Sequence, residues 1–162
     1  MEVRKATGKE MLCLWGYEGT EPLPPTALFF ARSLSSGNAE FWALNDNGRI
    51  IGELYVFWQL ADQDFADGKT RAYLCAFRIQ KEHRGKGCGS FLMREVLGYL
   101  KSKGIQTAAI GVDAAEEHNI RMYRSYGFTS KIKDCFEDPC DLDSEMKPKA
   151  CPCFWLLAKS LL

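Results

Sequence analysis

Hydrophobic positions along the 162-residue chain change period several times, and each change predicts an element. Val3 to Ala6 suits a short first strand, and Gly8 to Tyr17 places Met11, Leu12, Leu14 and Trp15 on one side of a helix. Gly16, Gly19, Pro22, Pro24 and Pro25 break that pattern into a loop, after which Thr26 to Ser35 resumes as an amphipathic helix with Leu28, Phe29, Ala31 and Leu34. Trp15, Tyr17 and Phe30 read either as core or as the wall of a substrate cleft. Glu40 to Leu44 and Ile50 to Leu60 are rich in β-branched and aromatic residues, and Asn47-Gly48 between them suits the positive φ angles of a hairpin turn. A polar connection, Ala61 to Lys69, carries Asp62, Asp64 and Asp67. Such a loop is a solvated tip or, where it borders a cleft, a feature favouring a cationic substrate. Arg71 to Gln80 completes an antiparallel meander.

The second half alternates. From Ser90 to Lys103, Leu92, Met93, Val96, Leu97 and Leu100 form one buried helical stripe, ended by Gly104. Ile105 to Val112 reads as a strand, and a further helix begins within Asp113 to Glu117 and runs through Ile120, Tyr123 and Arg124 to Gly127. Strand, helix and strand in that order imply a right-handed parallel crossover joined to the meander, so the fold class is α/β with a mixed sheet, of α+β character. Thr129 to Phe136 and Phe154 to Lys159 read as a closing pair of strands, with Glu137 to Pro152 a long polar connection containing three prolines. The length fits one domain spanning residues 1–162.

Charge narrows the classes. The 21 basic and 21 acidic residues cancel, which argues against a nucleic-acid partner held by a basic excess. No stretch approaches the ~20 apolar residues of a membrane span, and Met1 to Lys5 runs straight into charged sequence, so a cytoplasmic protein is expected. Seven cysteines, several within predicted elements, argue for reduced thiols. Cys135, Cys140, Cys151 and Cys153 show C-x4-C and C-x-C spacings, unlike the paired C-x2-C of most structural zinc sites, so no metal is expected.

Candidate chemistry concentrates between the third strand and the helix that follows it. Gly85, Gly87 and Gly89 alternate there, and alternate glycines allow positive φ and close approach of backbone to a ligand. Successive N–H groups at a helix N-terminus form a site for an anion, most simply phosphate. Arg84 and Lys86 add positive charge where the free amides already carry about half an elementary charge. Neither the dinucleotide pattern G-x-G-x-x-G nor the P-loop pattern can be read in this stretch. R-x-x-G-x-G does fit, at Arg84, Gly87 and Gly89, with Ile79 five residues before the arginine.

That turn resembles the acyl-CoA signature of the GNAT family of N-acetyltransferases. A second motif supports the resemblance: Tyr123 lies four residues before the pair Gly127-Phe128, within Asn119 to Phe128. One departure is that the family's asparagine usually lies a helical turn upstream of Asn119, where this chain has Glu116. The resemblance implies a GNAT-like fold with splayed central strands and acetyl-CoA as cosubstrate. It also implies a diphosphate cradle from Arg84, Gly85, Lys86, Gly87, Cys88, Gly89 and Ser90, with Asn119 as a further contact. Backbone groups near Phe77, Arg78 and Ile79 would hold pantetheine and polarise the thioester carbonyl, and Tyr123 would protonate the leaving thiolate. Otherwise Tyr123 is a half-buried helical tyrosine.

The reaction also needs a neutral amine. A primary alkyl amine of pKa ~10.4 is mostly protonated at neutral pH, so a base must act. Glu53, inside an apolar strand, is the candidate if it faces the cleft rather than solvent. His83 reads as a packing or solvated residue. The expected partner is a small-molecule or peptide amine, and the resemblance leaves a homodimer open. A second class of function, a non-catalytic acyl-CoA-binding or protein-interaction module on the same fold, is motivated by the missing obvious base and the cysteine-bearing tail.

Overall fold

The computed structural model describes residues 1–162. Its seven strands are β1 (Glu2–Ala6), β2 (Ala39–Asp46), β3 (Arg49–Phe57), β4 (Arg71–Ile79), β5 (Thr107–Asp113), β6 (Ser130–Leu142) and β7 (Pro148–Ser160). They form one sheet in the order β1-β2-β3-β4-β5-β7-β6. Only β4 and β5 are parallel, and all other neighbours are antiparallel. The mixed sheet expected from the meander and crossover is therefore present.

Helices cover both faces. On one side α3 (Cys88–Ser102) packs on β2, β3 and β4, and α4 (Glu117–Ser125) packs on β5. Leu54, Leu74, Leu92, Met93, Val96, Leu100, Ile110 and Phe128 form the core between them. On the other side lie α1 (Gly8–Leu14) and α2 (Pro25–Ser36), over Met11, Phe30, Phe41, Tyr55, Phe57 and Leu156. Residues Ile51 to Phe57 of β3 are buried without interruption, because a central strand has helices on both faces and no polar side to present.

Local chemistry sets the boundaries. Thr7 caps α1 in a capping box, its hydroxyl accepting from the Glu10 amide while the Glu10 side chain accepts from the Thr7 amide. The Asn47-Gly48 turn is as expected, with φ of 50° and 77°. Two expected helix boundaries shift, and a third falls at the end of its expected range. Helix α1 ends at Leu14 with Trp15 as its C-cap, rather than at Tyr17. Helix α4 begins at Glu117, the last residue of the expected starting range, since the Asp113 carboxylate captures the Ala115 amide and turns the chain first. Helix α3 begins at Cys88 and not near Ser90, so the glycine run is itself the helix N-terminus.

The largest correction concerns Glu137 to Pro152, which is not an irregular connection. Strands β6 and β7 each run for 13 residues and meet in a turn at Asp143 to Lys147. The prolines are tolerated because β6 is an edge strand whose pairing is bulged from Lys131 to Leu142, and β7 pairs only with β6 before Phe154. The extension packs on α2, where the Thr26 hydroxyl donates to Asp141 (2.9 Å) and accepts from the Leu142 amide (3.0 Å).

The acidic connection before β4 is also structural. Lys133 of β6 binds both Asp62 (2.6 Å) and Asp64 (3.1 Å). Asp67 accepts from the amides of Lys69, Thr70 and Arg71 at 2.8–2.9 Å and from the Thr70 hydroxyl at 3.0 Å. Burial alone would raise the Asp67 pKa, but these donors outweigh it and hold the carboxyl well below the usual range. Its contribution to stability is thus complete above about pH 4 and fades as the pH falls toward the depressed folded value. Asp67→Ala is expected to lower stability by ~1–2 kcal/mol at pH 7, with the loss shrinking below about pH 4, as urea titrations at both pH values would measure.

Candidate active site

The two central strands separate where the site forms. Pairing of β4 with β5 runs from Arg71 opposite Thr107 to Leu74 opposite Ile110 and then stops. On its other side, Arg78 of β4 pairs with Glu53 and Cys75 with Tyr55, so Leu54 of β3 faces two residues, Ala76 and Phe77. This bulge puts Ala76 at φ 51°, a left-handed conformation uncommon outside glycine. Past it, Phe77, Arg78 and Ile79 have no strand neighbour on the β5 side.

On the α3/α4 side of this opening lies a groove of about 550 Å³. Ten of the residues expected from sequence line it: Phe77, Arg78, Ile79, Arg84, Gly85, Gly87, Gly89, Ser90, Asn119 and Tyr123. Gly85 and Gly87 adopt φ of 73° and 83°, and Gly87 is the N-cap of α3. Gly89 serves packing, because a Cβ there would stand 3.2 Å from the Phe77 ring. The consequence is a cradle of donors: none of the amides from Gly85 to Ser90 finds an acceptor in the protein. The Arg84 guanidinium folds back to donate to the Ile79 carbonyl (2.9 Å), which fixes it at the rim. Lys86 and Cys88 do not line the groove; Lys86 is exposed and the Cys88 side chain is buried in the core, so Cys88 can contribute only its amide.

Tyr123 lines the same groove, 9% exposed, between the rings of Phe77, Tyr126 and Phe128 at 6.3–6.4 Å. Its hydroxyl makes no hydrogen bond within the protein, and burial pushes its pKa up to about 12. Tyr126, His118 and Met122 also line the groove and are not among the residues expected from sequence. Tyr126 stands three residues after Tyr123, on the same helical face, so helical spacing is the signal that could have found it.

Across β4 lies a second cavity of about 770 Å³, sharing Arg78, Ile79 and Arg84 with the first. Trp15, Tyr17 and Phe30 wall it. Glu53 faces this cleft and not solvent, 7% exposed, accepting a hydrogen bond from Trp15 Nε1 (2.8 Å) and lying 3.9 Å from Arg78 Nε. The Arg78 guanidinium also stacks over the Trp15 ring at 5.4 Å. Fully buried Tyr55 has a hydroxyl without a hydrogen-bond partner, and burial together with the nearby Glu53 charge raises its pKa. The opposite wall comes from β6: Asp138, Cys140 and Asp141, all within the stretch whose sequence carries no readable motif.

No three His, Cys, Asp or Glu side chains converge as a metal-binding group, and all seven cysteines are unpaired. No helix is long and apolar enough to cross a membrane.

A mixed sheet that opens between its only parallel strands, with a donor-lined helix N-terminus beside the opening, sets unpaired backbone donors where an anionic ligand can lie against the sheet. The chain belongs to the Acetyltransferase (GNAT) family, whose sequence profile matches residues 9–128. Among characterised sequences it is similar to N-acetyltransferase 8 of Rattus norvegicus, 26% identical over 105 residues, or 65% of this chain and 46% of that protein. A probable N-acetyltransferase family 8 member 5 of Mus musculus is 23% identical over 97 residues, 60% of this chain and 41% of that protein. The match thus spans less than half the length of these relatives. Among solved structures, the fold is shared with the ribosomal-protein-S18-alanine N-acetyltransferase of Escherichia coli, with a TM-score of 0.67, 15% identity, and coverage of 99% and 93% of the two chains. It is shared also with a GNAT family acetyltransferase of Elizabethkingia anophelis with acetyl-CoA bound, with a TM-score of 0.63, 16% identity, and coverage of 98% and 97%.

Proposed function

We propose that this chain is an acetyl-CoA-dependent N-acetyltransferase acting in the cytoplasm, moving an acetyl group directly to a primary amine of a small molecule or peptide while both substrates are bound. The observation that carries the reading is that the two cavities adjoin along β4, sharing Arg78 and Ile79 beside the opening between β4 and β5. A donor-rich groove thereby reaches an aromatic, carboxylate-bearing cleft. Seven free thiols fit a reducing compartment.

Acetyl-CoA supplies the activated acyl group, and the residues present suit it. Amides Gly85 to Ser90 supply donors for a diphosphate, with Arg84 at the rim and Asn119 on the facing helix. Those backbone groups of Phe77 to Ile79 that face the β5 side have no strand neighbour there, and apart from the Ile79 carbonyl, which Arg84 occupies, they suit orienting an extended amide chain and polarising a carbonyl. Tyr123 holds a protonated hydroxyl toward the groove, placed to stabilise and protonate a departing thiolate. Glu53, fixed by Trp15 and Arg78, presents negative charge to an incoming ammonium.

The test is thiol release from acetyl-CoA, followed with a thiol-reactive dye, against a panel of polyamines, amino acids, aminoglycosides and peptides. Amine-dependent release by at least one acceptor class is expected. Tight coenzyme A binding without turnover on any of them would instead indicate a non-catalytic acyl-CoA-binding module.

A further inference from the structure

Within the acetyl-transfer reading, the cleft contains three carboxylates, and their charges are not equally engaged. Glu53 has one oxygen on Trp15 Nε1 at 2.8 Å and the other 3.9 Å from Arg78 Nε. Asp141 accepts from the Thr26 hydroxyl at 2.9 Å and lies 3.8 Å from Lys149 Nζ. Asp138 has no cation within salt-bridge distance, and its only hydrogen bond within the protein comes from the Cys140 amide, two residues along its own strand, at 2.9 Å. Lys149, its register partner on β7, turns to Asp141 instead. A half-buried carboxylate without a counter-ion is costly to keep in a fold, and a cationic ligand relieves that cost.

Its place in the sheet says which part of the ligand it would meet. Asp138 lines the 770 Å³ cleft together with Cys75 and Ala76 of β4. It also lines a smaller cavity of about 250 Å³ with Gly111, Val112 and Asp113 of β5. These are the residues of each strand that follow the last β4–β5 pair, Leu74 opposite Ile110. Asp138 therefore stands over the gap where the central strands part, on the acceptor side, while Tyr123 lines the groove on the other side.

We infer that Asp138 is the group that takes the proton from the acceptor amine. The titratable groups around it are Tyr73 and Cys75 from β4, Cys140 and Asp141 from β6, Asp113 from β5 and Cys151 from β7; of the nearby cations, Lys149 on β7 is turned to Asp141, and Arg78 and Arg84 of the same cleft are held at Glu53 and at the Ile79 carbonyl. Burial, and then repulsion from Asp141, raise its pKa above the ordinary carboxylate value, which makes it a stronger base than a solvated aspartate. In the balanced step, Asp138 accepts one proton from the ammonium, and the freed nitrogen lone pair forms the C–N bond at the thioester carbon. The C–S electron pair leaves with sulfur, which takes the Tyr123 hydroxyl proton. The surplus proton on nitrogen returns to Tyr123 through solvent, and Asp138 releases its own to water. The net products are amide, thiol and one proton.

The variant Asp138→Asn keeps size and polarity and removes the base. Its kcat should fall about 100-fold or more at pH 7 with coenzyme A affinity unchanged. Its rate should then climb with the fraction of neutral amine, so that the deficit narrows as pH approaches the amine pKa of ~10.4. Asp138→Glu should recover part of the rate. A variant Asp138→Asn that keeps more than half of the wild-type kcat, or whose deficit is the same at every pH, overturns the inference alone. A wild type that binds coenzyme A yet acetylates no amine of the panel overturns the acetyl-transfer reading and this inference with it.

Discussion

Gly87→Glu is expected to abolish coenzyme A binding while leaving the protein folded. Gly87 sits at φ 83°, and a Cβ added there would have nothing within 4 Å, so the new side chain meets open space and not the core. The backbone cost of a non-glycine residue in this left-handed conformation is ~1–2 kcal/mol, tolerable for one position. The electrostatic cost is larger and falls on the ligand: a carboxylate roughly 5 Å from one phosphate charge at an effective dielectric of about 20 costs ~3 kcal/mol. Together these predict a loss of affinity of about 100-fold or more, read by calorimetry with coenzyme A. Gly87→Ala shares the strain without the charge and should lose far less. Equal affinity of Gly87→Glu and wild type would refute the cradle.

Tyr123→Phe is expected to lower kcat by about 100-fold while changing coenzyme A affinity little, since general acid catalysis contributes about that much and the ring itself is retained. Phe77, Tyr126 and Phe128 would still pack against the substituted ring, so the loss belongs to the hydroxyl. The raised pKa fixes the shape of the pH profile. A phenol with a pKa near 12 stays protonated through the whole working range, so Tyr123 imposes no fall in rate on the alkaline side below about pH 11. The variant's profile should therefore lie below and parallel to the wild type's over that range. A rate within twofold of wild type would remove Tyr123 from the chemistry.

The groove proposed for the cofactor is readable in the sequence because it is local. Arg84 to Ser90 are consecutive, their glycines declare the backbone conformation, and the following helix has an unambiguous apolar stripe in Leu92, Met93, Val96 and Leu100. Tyr123 and Asn119 come from one further helix with its own motif. The cleft proposed for the acceptor is assembled from α1, α2, β3, β4 and β6, and no spacing rule connects Trp15, Glu53 and Asp138 in sequence. Burial of Glu53 is undecidable from β3 alone, because a strand covered on both faces shows no alternation to say which side is wet. Asp138 is hidden differently. The prolines and acidic residues of Glu137 to Pro152 carry the composition of a loop, and only pairing with β7 turns that stretch into an edge strand. The acidic connection fails in the other direction: Asp62 and Asp64 look available to a substrate until Lys133, 71 residues from Asp62 in sequence, claims them.

The long β6–β7 ribbon has a consequence for how such a chain can diversify. Its tip supplies Asp138, Cys140 and Asp141 to the 770 Å³ cleft but contributes nothing to the groove at α3. If the proposed reading holds, exchanging residues 137–152, which lie before β7 joins β5, would alter the cleft wall at Asp138, Cys140 and Asp141 while leaving β4, α3 and the core part of β7 in place.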